Sequence, residues 1–307
     1  MLFRSDNQEA LKILEKAVAG GEITGIGIEE WFHERFVPNL VFIDEEGYSR
    51  MCVDALKILG STAATDYGSS RQRDMGQLWA DMTRGYLGEL AFLLVLEKRW
   101  KIKAVLGHDV GALEDFLPMD IHLIQKPGEK YREPQSKLSI KTTKWNGIWL
   151  DIPGNQFEHS DVHVLVKVGA GRDHLFAFFK KISVFKDKVL KIGEEIGSLT
   201  PKEAEALFDS LPSFKPIPAY VCGFALKGRG YERLSYTGKK GSKNYNISSW
   251  NGPILPGDLE RVKEKEHVAG KVSFDGIGSF AHDSGYLFNT GSLLWRDTDW
   301  DRVIEKV

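Results

Sequence analysis

The order of its periodic segments constrains this 307-residue chain more than any other feature. Apolar residues recur every three to four positions from Met75 to Trp100, which predicts one long helix or two helices broken at Gly85 or Gly88. Five short strand-like runs follow: KIKAVLG, MDIHLIQ, KLSIKTTKW, DVHVLVKVG and HLFAFFKKI. A helix followed by strands apolar enough to be buried predicts an α/β fold, with a mixed central sheet flanked by helices.

The regions on either side of this core differ from it in pattern. Helical periodicity dominates residues 1–75, which we expect to form an N-terminal helical lobe. The core is expected to span 76–185, with a short helix in GNQFEHS. Residues 186–307 hold the helix TPKEAEALFDSL, with Thr200 as N-cap, and the strand AYVCGFALKG, so they predict a C-terminal α+β region.

Composition excludes several classes of protein. The formal net charge is −2, so attraction to an anionic partner must come from local patches rather than from the overall field. Cys52 and Cys222 have no CxxC or Cys/His spacing, which argues against a disulfide framework or a zinc site. The beginning of the sequence lacks an apolar secretory segment, and no run of eighteen apolar residues occurs. We therefore expect a soluble cytoplasmic protein that does not bind a membrane.

Two polar side chains lie in consecutive strand-like runs. Strict alternation places Asp120 and His122 on one face of MDIHLIQ, and Ser139 and Lys141 on one face of KLSIKTT. If these runs pair as antiparallel neighbours, Asp120 and Lys141 come within reach of one phosphate group. A carboxylate can hold a hard divalent ion and an ammonium can offset developing negative charge, a pairing that suits phosphodiester hydrolysis. The alternative is that Asp120 ends a strand and Lys141 lies on a solvated sheet face.

Other candidate acids lie nearby in the sequence. Glu89 interrupts the apolar pattern of GYLGELAF, and a buried acid is costly without a partner. Gln156 and Glu158 follow Lys141 in PGNQFEHSD, where a short helix could return one of them to the end of the sheet. No GxxxxGK[ST], GxSxG or HExxH pattern occurs, so nucleotide-binding loops, serine hydrolases and zinc proteases are not indicated.

This order of elements resembles the PD-(D/E)xK nuclease superfamily, above all its type II restriction endonucleases. The resemblance implies that Glu89 is the helix acid, that Asp120 is the Pro-Asp position (here PMD, with one extra residue), and that Ser139-Ile140-Lys141 is the acid-x-Lys strand. Ser139 stands where the family has Asp or Glu. Some members also have Ser or Thr there and take the carboxylate from elsewhere, which would make Glu158 or Glu89 the substitute.

The same resemblance implies a restriction-endonuclease-like core over about Gly76–Ile182 and a site that uses Mg²⁺. The implied catalytic residues are Asp120, Lys141, Glu89, Ser139 and Glu158. Of these, Asp120, Glu89 and Glu158 are the implied metal ligands.

Contacts to nucleic acid are predicted from basic patches. Arginines lie before and on the long helix, and the segment from Lys227 to Lys243 alternates basic residues with tyrosines. The candidate DNA-binding residues are Arg71, Arg73, Arg84, Arg229, Arg233, Lys239, Lys240, Lys243 and Asn244. The alternative for either patch is a solvated charged loop.

Together these patterns predict a Mg²⁺-dependent, sequence-specific endonuclease for double-stranded DNA, and a palindromic target would favour a homodimer. One alternative is a repair or recombination nuclease of the same fold. Another is a non-catalytic DNA-binding protein on a scaffold that has lost its nuclease activity, an interpretation that Ser139 keeps open.

Overall fold

The computed structural model describes residues 7–59, 74–107, 120–228, 235–280, 282 and 284–307. The helices are α1 (Asn7–Ala19), α2 (Gly27–Glu30), α3 (Glu45–Leu59), α4 (Met75–Trp100), α5 (Gly154–His159), α6 (Arg172–Lys181), α7 (Lys191–Glu195), α8 (Pro201–Ser210), α9 (Asp258–Lys265) and α10 (Asp297–Ile304). The strands are β1 (Leu40–Ile43), β2 (Lys103–Leu106), β3 (Ile121–Gln125), β4 (Leu138–Lys144), β5 (Trp149–Pro153), β6 (Val162–Val168), β7 (Ile217–Leu226), β8 (Tyr236–Lys240), β9 (Tyr245–Ile254), β10 (Val272–Phe274) and β11 (Gly285–Asn289). The predicted mixed α/β class is confirmed.

A four-stranded sheet forms the centre of the fold, in the order β1-β7-β6-β4. Strands β4 and β6 are parallel, in a register that runs from Leu138 opposite Val162 to Lys144 opposite Val168. Strand β7 is antiparallel to both β6 and β1. All seven residues of β6 are buried, as expected for a strand covered on both faces.

Helix α4 covers one face of this main sheet. Asp74 caps its start by accepting a hydrogen bond from the backbone N–H of Gln77 at 2.8 Å, and Lys101 ends it in the left-handed conformation. The helix runs unbroken through Gly85 and Gly88. A Cβ atom at Gly88 would lie 1.8 Å from Thr142 Oγ1, so this glycine lets α4 lie close against β4.

A second sheet covers the other face of the main sheet. Its strand order is β10-β9-β11-β5, and β8 also pairs with β9. Apolar side chains of both sheets share one core, to which Leu150 and Phe288 contribute from the second sheet and Leu165 and Tyr220 from the main sheet. The layers are therefore helix, sheet and sheet, and Lys141 lies on the side of the main sheet that faces the second one.

The predicted domain boundaries cut through both sheets. Strand β1, from the expected N-terminal lobe, pairs with β7 from the expected C-terminal region. Strand β5, from the expected core, pairs with β11 near residue 290. The three predicted regions thus contribute strands to common sheets.

Two local predictions are wrong. The run HLFAFFKKI belongs to helix α6 rather than to a strand. A short apolar run fits the helical repeat and the strand repeat equally well, and here β7, not this run, pairs with β6. Alternation in MDIHLIQ also fails: a β-bulge in the β2–β3 pair shifts the register, so Ile121 and Ile124 are both buried whereas His122 is exposed.

Within the described ranges, no helix is both long enough and apolar enough to span a bilayer.

Candidate active site at strand β4

Asp120 is held against β4 by two hydrogen bonds. Its backbone N–H donates to the carbonyl of Leu138 at 3.0 Å, and its Oδ2 accepts from the backbone N–H of Ile140. The next residue along β4 is Lys141. The predicted approach of Asp120 to the Lys141 strand is therefore present. The predicted antiparallel pairing of the two strands is not, because β3 pairs with β2 and only Asp120 bonds to β4.

Lys141 is half-buried and contacts helix α5. Its Nζ donates a hydrogen bond to Gln156 Oε1 at 2.8 Å. The predicted short helix in GNQFEHS is present, and it returns Gln156 to the sheet. A neutral amide oxygen orients the Lys141 ammonium without neutralising its charge.

Glu158 points elsewhere. Two residues along an α-helix correspond to a rotation of about 200°, so Glu158 projects from the side of α5 opposite to Gln156. Its side chain is 61% exposed and forms an ion pair with Lys227 at 3.3 Å. The prediction that Glu158 supplies the missing carboxylate beside Lys141 is not met, because the phase of α5 assigns that direction to Gln156.

Ser139 shares the β4 face with Lys141 and is buried. Its partner across the parallel pair is His163 on β6, which is also fully buried. Burial lowers the pKa of His163 to about 4, so the imidazole is neutral at pH 7. Position 139, where the sequence resemblance implies an acid, thus holds a buried hydroxyl beside a neutral ring.

Glu89 and Asp120 lie near one phenol. Tyr86 precedes Glu89 by one turn of α4. Burial raises the pKa of Tyr86 to about 12, and the charges of Glu89, Asp54 and Asp120 raise it in the same direction. Tyr86 and Asp54 were not among the predicted site residues, although the three-residue spacing of Tyr86 and Glu89 was a usable signal.

The described part of the chain contains no group of three or more His, Cys, Asp or Glu side chains arranged to hold a metal ion. Mg²⁺ in proteins is commonly held by one or two carboxylates together with waters and substrate phosphates. Asp120 and Glu89 are hard oxygen donors whose charges both act on Tyr86, so of the predicted ligands these are the two that such a site could use. Glu158 does not belong to this set.

Of the predicted DNA-binding residues, five lie within the described part of the chain. Arg84 lies on α4 and pairs with Asp81 at 3.0 Å. Arg71, Arg73, Arg229 and Arg233 lie outside the described residues. Among the described candidates, Arg84 lies on α4, whereas the lysines and Asn244 lie on the β8–β9 hairpin.

Three predicted DNA-binding lysines lie on the β8–β9 hairpin, and the Nζ of one of them, Lys240, donates a hydrogen bond to the Glu266 carbonyl at 2.8 Å. Lys239 and Lys240 lie on β8, Lys243 lies in the turn, and all three are exposed. Asn244 is engaged within the turn, because its Oδ1 accepts from the backbone N–H of Lys271 at 2.9 Å. This contact places Lys271 beside the hairpin, which the sequence could not indicate because β10 joins β9 from a distance along the chain.

Comparison with protein-family models, with curated proteins and with solved structures finds no match to this chain.

Proposed function

We propose that this protein is a Mg²⁺-dependent endonuclease that hydrolyses double-stranded DNA. The observation that carries the proposal is the hydrogen bond from the Ile140 backbone to the Asp120 carboxylate, which fixes an acid beside the strand position next to Lys141. The order of elements also supports it: the long helix α4, which carries Glu89, is followed by Asp120 and then by β4, which carries Lys141, in the order that the family resemblance implies.

Each side chain has a separate role in this proposal. Asp120 and Glu89 would hold Mg²⁺, which supplies neutralisation of phosphate charge and makes nearby water more acidic. Lys141, oriented by Gln156, lies on the face of β4 opposite to helix α4, and from that side it would stabilise the negative charge that develops as water adds to phosphorus. One P–O ester bond then breaks, leaving a phosphate monoester on one strand end and a hydroxyl on the other.

The finer assignments follow from the same proposal. We assign the enzyme to the restriction type, acting on a specific sequence in the cytoplasm. A palindromic recognition sequence would be bound by a twofold homodimer, since the symmetry of the target mirrors that of the protein. We assign phosphate contacts to the exposed lysines of the β8–β9 hairpin.

A second candidate is a DNA-binding protein without nuclease activity. Ser139 favours it, because a buried hydroxyl replaces the acid that the family resemblance implies at that position. The two candidates share DNA binding and differ in metal-dependent cleavage. A repair or recombination nuclease of the same fold would cleave damaged or branched DNA in preference to intact duplex.

Incubation of the purified protein with plasmid DNA, with Mg²⁺ or with a chelator, tests the proposal. We expect discrete fragments with Mg²⁺ and none with chelator or with Lys141→Ala. Lys144→Ala is the matched control, because Lys144 is an exposed lysine on the same strand. Binding of plasmid without cleavage by the wild type would support the non-catalytic candidate, and smeared fragments would argue against sequence specificity.

A further inference from the structure

Three stacked rings anchor helix α5 between the two sheets. The Phe157 ring lies parallel to the His163 ring, with centroids 4.9 Å apart and an interplanar angle of 10°. Its centroid is 3.6 Å from that of Tyr286, at 14°. The central ring belongs to α5, and the outer rings belong to β6 of the main sheet and β11 of the second sheet.

A hydrogen bond adds to this stack on the His163 side. Nε2 of His163 lies 3.3 Å from the carbonyl oxygen of Phe157, and because a carbonyl can only accept, Nε2 carries the proton. His163 therefore contacts Phe157 through both its ring face and its N–H group. It holds the residue that directly follows Gln156.

Packing alone does not explain a histidine at this position. The ring is fully buried, and its Nδ1 has no hydrogen-bond partner among the residues that the structure describes. A buried unpaired polar atom costs about 1–3 kcal/mol, so an apolar ring would be the more stable choice if stacking were the only role. The hydrogen bond to Phe157 is the interaction that a phenyl ring would not provide.

Helix α5 needs such an anchor. It has only six residues, and its N-cap Pro153 provides no side-chain hydrogen bond. Helices this short are not stable by themselves in water and depend on tertiary contacts. A shift of Phe157 would therefore move Gln156, whose Oε1 contacts Lys141 at 2.8 Å.

We infer that His163 is a positioning residue, which fixes α5 through Phe157 and so holds Gln156 against the Lys141 ammonium. The catalytic consequence rests on the proposed role of Lys141, whereas the structural consequence does not. Two measurements separate them.

The first measurement is a double-mutant cycle on DNA cleavage. His163→Phe keeps the ring and removes the donor, and Gln156→Ala removes the acceptor at Lys141. We expect each single variant to lower kcat about tenfold with little change in KM, and the double variant to be no slower than Gln156→Ala, because both changes act through one contact. His33→Phe, a change at an exposed histidine, serves as the control. Multiplicative losses, or an unchanged kcat in His163→Phe, would overturn the inference.

The second measurement needs no cleavage. Lysines are dimethylated with ¹³C, and the Lys141 signal is identified by its loss in Lys141→Arg. His163→Phe and Gln156→Ala should displace this signal in the same direction, whereas His33→Phe should leave it in place. If wild type fails to cleave DNA and the signal still moves, the nuclease proposal falls and the positioning role stands. A signal unmoved by His163→Phe refutes the role, and His163→Asn replaces that variant if it does not fold.

Discussion

Glu22 and Lys167 form an ion pair of 2.7 Å in which the two side chains are 0% and 5% exposed. The other carboxylate oxygen of Glu22 accepts hydrogen bonds from Trp31 Nε1 at 2.9 Å and from the Tyr220 hydroxyl at 3.0 Å. Lys167 lies on β6 and Tyr220 on β7, whereas Glu22 lies between α1 and α2. This network fastens the N-terminal helices to the main sheet.

Removal of one partner should be costly. Glu22→Gln leaves the Lys167 ammonium buried without a counter-charge, and we expect a loss of about 3–5 kcal/mol in the free energy of unfolding. Replacing both partners, as in Glu22→Gln with Lys167→Met, should restore much of this loss, because no buried charge is left unpaired and the amide oxygen at position 22 can still accept from Trp31 and Tyr220. Urea unfolding of the wild type and the two variants checks this. Equal destabilisation in the single and double variants would contradict it.

The same ion pair should make stability depend on pH in the acid range. Burial acts to raise the pKa of Glu22, but the charges of Lys167 and Arg35 outweigh it and lower the pKa from 4.5 to about 2. A carboxylate with a depressed folded-state pKa contributes stability above its unfolded pKa and loses that contribution as pH falls through the folded value. The difference in unfolding free energy between wild type and Glu22→Gln should therefore shrink from pH 4.5 to pH 2. A constant difference would show that Glu22 is not ionised in the folded protein.

Two of the three glycines of α4, Gly85 and Gly88, should respond oppositely to alanine. Gly88→Ala places a Cβ atom against Thr142, so we expect a loss of at least about 1–3 kcal/mol from overpacking. Gly85→Ala is the matched control, because nothing lies within 4 Å of a Cβ atom there. Alanine at that position should stabilise the helix by about 0.5–1 kcal/mol. Thermal unfolding distinguishes the two, and equal shifts would mean that α4 does not lie close against β4 at Gly88.

The candidate carboxylates should rank by position. Asp120→Ala and Glu89→Ala should both abolish Mg²⁺-dependent cleavage, whereas Glu158→Ala should retain most of it, because Glu158 is turned away and paired with Lys227. DNA binding should persist in all three variants, since these groups act mainly on the transition state. Cleavage rates over a range of Mg²⁺ concentrations give the ranking. A Glu158→Ala variant as inactive as Asp120→Ala would reassign the site.

The hairpin lysines should govern the salt dependence of DNA binding. Each phosphate contact contributes about 0.9 to the slope of log affinity against log salt, so replacing Lys239, Lys240 and Lys243 with Ala should flatten the slope by about 2–3. The matched control replaces Lys188, Lys191 and Lys202, which are exposed lysines on other elements. Equal changes in both triple variants would show that the hairpin has no special part in binding.

Long periodic segments made much of the core predictable from sequence. Helix α4, strands β2, β3, β4 and β6, and the N-cap Thr200 of α8 follow from local pattern. The structure adds that Thr200 and Glu203 cap each other's backbone N–H groups. Strand pairing was not predictable, because β1 pairs with β7 and β5 pairs with β11, and each pair is widely separated in sequence. Local pattern also failed in α6, because its apolar run fitted both the helical and the strand repeat.

Part of the candidate site was likewise predictable from sequence, and part was not. The sequence indicated that Asp120 approaches the Lys141 strand and that a short helix follows. It could not decide between Gln156 and Glu158, because the phase of a six-residue helix depends on what anchors it, and here that anchor is Phe157. Nor could it place His163 beside Ser139, which requires the parallel register of β4 and β6.

The pairing of β1 with β7 has a consequence for how the chain folds. Leu40 lies opposite Tyr220, so about 180 residues separate two neighbours in the main sheet. Contacts this distant in sequence slow folding, because the entropy of closing the loop is lost before the contact forms. On the ribosome, β1 must wait for β7 to emerge, and until then its backbone N–H and C=O groups have no neighbouring strand on that side. The N-terminal part of the chain therefore exposes an unpaired strand edge during most of its synthesis.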